Sequence, residues 1–456
     1  MAGIGFQLRK IFEKDTYADT LRGAIMAATI AGGPIFFSII CLILLGIFAT
    51  FISGQEMDLF LVTLVYVFAF SLISTGIIQL LITRYLSDLI YVNETSRILP
   101  SFSAVLALTI IFQLVIGLPF ILFWDIDFSY KLTALILFIT VGCNWQLLVF
   151  MSAVKNYRIV FIAFIVGLCT GFFLAMFLGE RFGLTGFLPG YTIGQIILMF
   201  VMLARMFVEF KSAVKPTFQF LKYLNKVPLL ILIGFCYNAG IWIDKIIFWF
   251  SPEGQEVHSL LYAFRDYDTA TFFAFLTTIP SYTYFLVKVE TDFYGHFRGF
   301  FHAILSKQPY DQIKGQKKNI AVSVKESLAG LIKIQGVVTL LCLLFSKEIA
   351  VFFGIPVLGT MILEKTLIAV FLQMLLLTVM IFLLYFDIRK EVAIVTGVFF
   401  LANMGLTLLT LKLGYVFYGY GYLFACLIAL IVGYAFLNRH LHRLEYHTFV
   451  SQPLAG

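Results

Sequence analysis

The sequence predicts an all-α membrane protein with about twelve transmembrane helices, and three observations predict it. Of 456 residues, 61% are hydrophobic and 12% charged, whereas a soluble domain carries roughly 25% charge. The apolar residues gather into runs of about 20, enough to cross ~30 Å of hydrocarbon as a helix. These runs are apolar on every face, as in Leu135–Val154, rather than alternating as barrel strands do. The third observation, argued below, is where the basic residues fall.

The runs follow in order along the chain. The first, 23–50, opens after Arg22 and carries Gly32-Gly33-Pro34 near its middle. That tripeptide frees backbone groups and predicts a helix kink beside protein or a water-lined cavity. Runs 59–83, 101–124 and 132–154 are closed by Arg84, Asp125 and Lys155, and runs 159–179 and 185–205 flank Glu180-Arg181. Beyond a basic stretch come 227–250, 269–287, 328–346, 366–386, 392–411 and 415–437, each with a charge within a few residues of its end.

Orientation follows from Lys and Arg in the connections. One side holds 24 of them, from Arg9, Lys10, Lys14 and Arg22 through the groups at 205–226 and 288–325 to Arg439 and Arg443. The other side holds six: Lys131, Arg181, Arg265, Lys347, Lys365 and Lys412. The asymmetry predicts cytoplasmic termini and an even number of spans, and it accounts for the net charge of +7 without nucleic acid. The expected organisation is a cytoplasmic amphipathic segment 1–22, a first six-helix bundle 23–205 and a basic cytoplasmic linker 206–226. A second bundle 227–437 with a cytoplasmic loop 288–327 follows, then a cytoplasmic tail 438–456. With six spans in each half, any repeat would be parallel, related by an axis along the membrane normal.

Two stretches read as amphipathic. Ile4, Leu8, Ile11 and Phe12 oppose Arg9, Lys10 and Lys14, and Phe293–Leu305 is aromatic and basic around Phe297, Arg298 and Phe300. Anchoring to an anionic leaflet and docking of cytosolic partners both remain open for them.

The polar residues inside the spans are the candidate functional ones, because charge in hydrocarbon is costly and faces an interior or a wet cavity. In the seventh span Tyr237 and Asp244 share one helical line, and Asn238 and Lys245 the next. With Gly234 and Gly240 they read as a cavity wall. Adjacent Asp244 and Lys245 are poorly placed to face each other, so each is expected to find a partner on another helix; a structural ion pair is the alternative. Gln79, Asn144, Gln146, Gln195, Gln373 and Asn403 are interhelical hydrogen-bonding groups or, for Gln79, Asn144 and Asn403 among others, contacts along a pathway for a neutral, hydroxyl-rich ligand. The six cysteines lack CxxC spacing and read as packing residues. No nucleotide-binding, metal-ligand or catalytic motif is present, so no catalytic residue, metal or cofactor is assigned.

The opening MAGIGFQLRKIF with YADTLRGAIMAATIAGGPIFFSII, the seventh-span NAGIWIDKIIFWFSPEG, and YAFRDYDTATFFAFLTTIPSYTYF resemble the PelG family of polysaccharide transporters. The likeness covers essentially the whole chain. It implies membership of the multidrug/oligosaccharidyl-lipid/polysaccharide flippase superfamily, with two bundles around a central cavity. It also implies a bacterial inner-membrane location and an N-acetylhexosamine-rich polymer, Pel, as substrate. The implied partners are the glycosyltransferase PelF, the cyclic di-GMP receptor PelD, and PelE.

Three other functions are weighed against this. An ion-coupled multidrug antiporter of the same superfamily would want an acidic relay in the first bundle, yet spans one to six contain no Asp or Glu away from their ends. A membrane polymerase would want catalytic carboxylates, for which only Asp266 and Asp268 offer a pair. A scaffold subunit without a conduit is the third.

Overall fold

The computed structural model describes residues 56–154, 157–210 and 215–450. The first predicted span with its Gly32-Gly33-Pro34 kink, and the N-terminal segment with Arg9, Lys10 and Phe12, lie outside the described residues. Eleven segments among the described residues are long and apolar enough to cross a membrane, and they correspond one for one to the remaining eleven predicted spans. The protein is an all-α, multi-pass membrane protein. The described chain divides into two compact units, residues 56–268 and 269–450. The seventh predicted span lies in the first of these units.

In the unit 56–268 the long helices are α1 (Glu56–Tyr91), α2 (Ile98–Phe123), α3 (Phe128–Val154), α4 (Tyr157–Phe182) and α5 (Leu184–Glu209). A short α6 (Lys222–Lys226) and then α7 (Leu229–Trp249) follow. At ~1.5 Å per residue, the 36 residues of α1 exceed the hydrocarbon thickness, so the helix runs on past its apolar run. Its extension is fixed by an Arg84–Asp88 ion pair of 3.3 Å and by the Tyr223 hydroxyl donating to Asp88 Oδ2 at 2.7 Å. Burial and the neighbouring carboxylate push the Tyr223 hydroxyl up to about 12, so it remains a donor at any ordinary pH.

α3 is the most enclosed helix of this unit, and α1, α2 and α5 pack around it. α4 and α5 are joined at Gly183, whose φ of +62° suits glycine, and they meet along a glycine ladder. A Cβ at Gly194 would lie 2.4 Å from Gly171 Cα, and one at Gly190 would lie 2.4 Å from the Ala175 nitrogen. Gly167 and Gly171 on α4 are half of a two-sided contact in which Gly186, Gly190 and Gly194 on α5 let the backbones approach. A second close approach joins α1 to α7, where a Cβ on Gly234 would sit 2.2 Å from the Gly76 carbonyl oxygen.

After α7 a hairpin of β1 (Gln255–His258) and β2 (Leu261–Ala263) pairs antiparallel, with Glu256 opposite Tyr262. It is tied down by the Tyr66 hydroxyl of α1 donating to the Tyr262 carbonyl at 2.9 Å.

In the unit 269–450 the eighth predicted span is interrupted rather than straight. α8 (Arg265–Leu276), which begins in the other unit, is followed by α9 (Ile279–Tyr284), a π-helical turn at Phe285–Val289, and α10 (Glu290–Leu305). Thr277 and Thr278 hydroxyls donate back to the carbonyls of Ala274 and Phe275 at 2.7 and 2.6 Å, competing with the helical ladder at the break. The predicted loop 288–327 is helical instead. It comprises α10 and the first half of α11 (Tyr310–Leu344), whose 35 residues extend one helix well beyond its apolar run. The short α12 (Ser346–Phe352) leads to α13 (Val357–Tyr385), α14 (Arg389–Leu413), α15 (Tyr420–His442) and α16 (Leu444–Val450). α13 is the enclosed helix here, with α11, α14 and α15 against it.

Candidate functional site

The seventh span supplies a buried charged pair on α7. Asp244 and Lys245 on α7 have 0% and 1% of their surface exposed. Neighbours on a helix point about 100° apart, but the long lysine stem folds back so that Nζ lies 3.3 Å from both Asp244 oxygens. Nζ also donates to the Ile241 carbonyl one turn earlier, at 3.0 Å. The expectation that the two residues would look to other helices rather than to each other is thus corrected: lysine length overcomes the unfavourable spacing. Asp244 does in addition find a partner elsewhere, accepting from the Tyr267 hydroxyl at 2.7 Å. Both side chains are buried in this conformation.

The end of α7 and the start of α8 are neighbours because only the hairpin connection separates them. They exchange hydrogen bonds in opposite directions. Tyr267 of α8 donates to Asp244 of α7, and the Trp249 indole of α7 donates to both Asp268 oxygens of α8, at 3.0 and 2.9 Å. Aromatic rings close around these bonds, Trp249 on Tyr66 at 4.6 Å and Phe248 on Tyr267 at 4.2 Å between centroids. Lys245 Nζ also lies 5.7 Å from the Trp242 ring centroid, within cation–π range. Burying two charges is tolerated only where geometry and further hydrogen bonds compensate desolvation, which is the service of Tyr267 and Ile241.

Nothing in the sequence singles out Tyr267, Trp249 and Tyr66 as members of this cluster. In the sequence Asp268 stands out only as one of a carboxylate pair with Asp266. The signal the sequence offers is an acid and an aromatic on either side of the connection 250–264.

The other predicted residues separate into two kinds. Tyr237 and Asn238, two turns before the pair, are half-buried, as is Gln79 on α1. Asn238 Nδ2 donates to the Gly234 carbonyl at 2.8 Å in space that Gly76 leaves open: a Cβ there would stand 2.2 Å from it. Asn144 on α3 is buried and reaches the Gln195 backbone and side-chain oxygens on α5, each at 3.3 Å. Gln146 reaches the Thr75 carbonyl on α1 at 3.2 Å. Within the unit 269–450, Asn403 is buried and accepts from Thr407 at 3.1 Å, and Gln373 accepts from Tyr422 at 2.6 Å. The Asn144, Gln146 and Gln373 amides tie helices together, whereas the Asn403 bond lies within α14 and the Asn238 bond within α7. On α10, Arg298 is exposed, Phe297 is half-buried against Tyr385 and Phe386, and Phe300 is fully buried. The aromatic face of α10 thus packs on the end of α13, leaving Arg298 as the exposed member of the three. Among the described residues no group of three or more His, Cys, Asp or Glu side chains is placed to hold a metal ion.

The PelG family model, described as "Putative exopolysaccharide Exporter (EPS-E)", matches residues 1–449. No curated protein matches the chain. Among solved structures, a MATE protein in the bent conformation aligns with TM-score 0.62 and 12% identity over 93% of this chain and 96% of that one. A MOP superfamily transporter from Pyrococcus furiosus gives 0.62 and 13% over 92% and 96%. The outward-facing conformation of a multidrug resistance MATE family transporter gives 0.61 and 12% over 97% and 99%. At these identities the likeness concerns the fold, which is that of the MOP superfamily transporters.

Proposed function

Because the chain belongs to the PelG family, we propose that it exports the Pel exopolysaccharide, an N-acetylhexosamine-rich polymer, across the bacterial inner membrane without catalysing a reaction. The observation that carries this reading is the family match over 449 of 456 residues, joined to a transporter fold. On this proposal the chain lies in the inner membrane with both termini cytoplasmic, as its basic asymmetry favours. It acts within a synthase–transporter complex whose members are PelF, PelD and PelE.

Within this reading α7 and α1 carry the route. Tyr237, Asn238 and Gln79, half-buried and uncharged, offer hydrogen bonds to sugar hydroxyls without the tight binding that would stall a moving chain. Asp244 and Lys245 hold the end of α7 in register with α8, and meet substrate only when the Tyr267 and Trp249 contacts part. Asn144 and Asn403 are the weaker members of the predicted set, since both are engaged inside their units. The cytosolic partners meet the region 288–327, through Arg298 and the exposed lysines of α11, together with the N-terminal segment bearing Arg9, Lys10 and Phe12. Deleting residues 4–12 should loosen co-purification of the synthase components; unchanged co-purification and secretion would leave that segment as an anchor.

The test of export is genetic. Loss of the chain should abolish extracellular polymer while the glycosyltransferase still turns over, and re-expression should restore it. Normal secretion without the chain would end the proposal. The antiporter alternative is kept because the fold neighbours include a multidrug resistance transporter and because α7 buries a titratable acid. It would be favoured by Asp244→Asn being as inactive as Asp244→Leu.

A further inference from the structure

A long groove of about 1420 Å³ lies within the unit 269–450, walled by the first two-thirds of α11 on one side and the second half of α15 on the other, with α13 as its floor. It is larger than the roughly 300–1,000 Å³ of an ordinary small-molecule pocket. Both walls change character along it in the same direction. On α11 the lining residues Lys314, Lys318 and Lys325 are followed by Leu328, Ala329 and Ile332. Spacings of four, seven and three or four residues keep these on one helical stripe. α15 runs the opposite way, from Leu430, Ile431 and Tyr434 to Asn438, Leu441 and His442. The polar ends coincide, for Lys317 Nζ donates to the His442 carbonyl at 3.1 Å and pairs with Glu445 at 3.4 Å.

The basic end outweighs its acids. Glu445 is engaged by Lys317 and by the Tyr310 hydroxyl, and Asp311 is the other acid of the lining. Lys314, Lys318 and Lys325 are exposed. The apolar end is open too, with Ile332 48% and Ile431 60% exposed, and it lies in the segments that cross the membrane. Small residues, Gly315, Ala321, Ala329 and Ala435, recess the lining, making a channel rather than a flat lipid-facing wall.

An occupant of such a groove must carry negative charge at one end and hydrocarbon at the other, and must reach the site from within the membrane. We infer that the groove between α11 and α15 is a binding site for an anionic phospholipid. Its phosphate sits among Lys314, Lys318 and Lys325, and its acyl chains lie along Leu328, Ile332, Ile431 and Tyr434. Basic pockets between transmembrane helices recognise such headgroups by the same chemistry. Which leaflet supplies the lipid rests on the topology above, which places this end at the cytoplasmic face; the binding itself does not.

The experiment is native mass spectrometry of the full-length, detergent-purified chain. It is offered an equimolar mixture of phosphatidylglycerol and phosphatidylcholine with distinguishable acyl chains. The expected result is preferential retention of phosphatidylglycerol. Lys318→Gln with Lys325→Gln should lower the preference by on the order of ten-fold or more, each lysine near a phosphate being worth roughly five-fold. Ala329→Trp, which fills the apolar half and leaves the lysines, should reduce retention of the anionic lipid, with Ala329→Leu as the milder second variant. Lys347→Gln, outside the groove, should change nothing. The inference is overturned if the lysine pair and both Ala329 variants retain the wild-type preference. It is equally overturned if millimolar inorganic phosphate displaces the lipid, since that would make the lysines a site for a soluble phosphate.

Discussion

The Tyr267 hydroxyl meets Asp244 Oδ2 at 2.7 Å, and this bond joins a carboxylate with no exposed surface to the first turn of the next helix. The Trp249–Asp268 bond returns the connection in the other direction. Together they tie α7 to α8 in both directions, and they shape what substitutions there should do.

Tyr267→Phe removes a donor to a buried charge while keeping the ring that stacks on Phe248. A hydrogen bond to a charged group contributes about 1.5–3 kcal/mol, so the variant should be less stable by that order. Thermal unfolding in detergent should show a lowered midpoint. An unchanged midpoint would mean that Asp244 is satisfied without Tyr267.

Replacing one member of the pair should cost more than replacing both. Lys245→Met leaves Asp244 buried without its cation, at about 3–5 kcal/mol. Asp244→Leu with Lys245→Met removes both charges and should fold far better than Lys245→Met alone. For secretion per folded protein, Asp244→Asn should preserve much of the export of a neutral glycan and Asp244→Leu, which also leaves Lys245 buried without its anion, should abolish it. Normal secretion from both single variants would remove Asp244 from the functional residues.

The glycines divide sharply. Gly194→Leu drives a side chain into the Gly171 backbone and should prevent α4 and α5 from packing, seen as loss of folded, monodisperse protein. Gly397→Ala and Gly405→Ala place their methyl groups where nothing lies within 4 Å. They should be neutral or stabilising by about 0.5–1 kcal/mol, because alanine loses less freedom in a helix. Equal expression and melting of all three would refute the close approach.

Topology is checked by cysteine accessibility. Single cysteines at Asp127 and Glu253 should label from outside intact cells, and one at Lys215 only after permeabilisation. Labelling of the Lys215 position in intact cells would invert the assignment.

Eleven of the helices were legible because hydrocarbon demands long apolar runs, and the charges that end those runs are plain in the sequence. Hydropathy, however, measures how long a segment is apolar and not how long it is helical. The continuation of α1 to Tyr91 and the polar half of α11 therefore leave no hydropathy signal. The β hairpin was hidden because strands of four and three residues carry too little alternation to show. The break at Thr277-Thr278 was hidden because threonine is common inside membrane helices. At the candidate site, Asp244 and Lys245 stood out by charge alone. Their aromatic partners did not, since Tyr267 and Trp249 sit at span ends where an interfacial belt is the default reading. The lysine's return to its own neighbour depends on a side-chain conformation that spacing does not reveal.

The most direct measurement of the central claim uses inverted inner-membrane vesicles that contain the synthase complex with or without this chain. Supplied with activated, labelled N-acetylhexosamine, vesicles with the chain should accumulate polymer that externally added glycoside hydrolase digests only after detergent is added. Vesicles lacking it, or carrying Asp244→Leu, should make polymer that the enzyme digests at once. Equal protection of polymer in vesicles with and without the chain would contradict export through this protein.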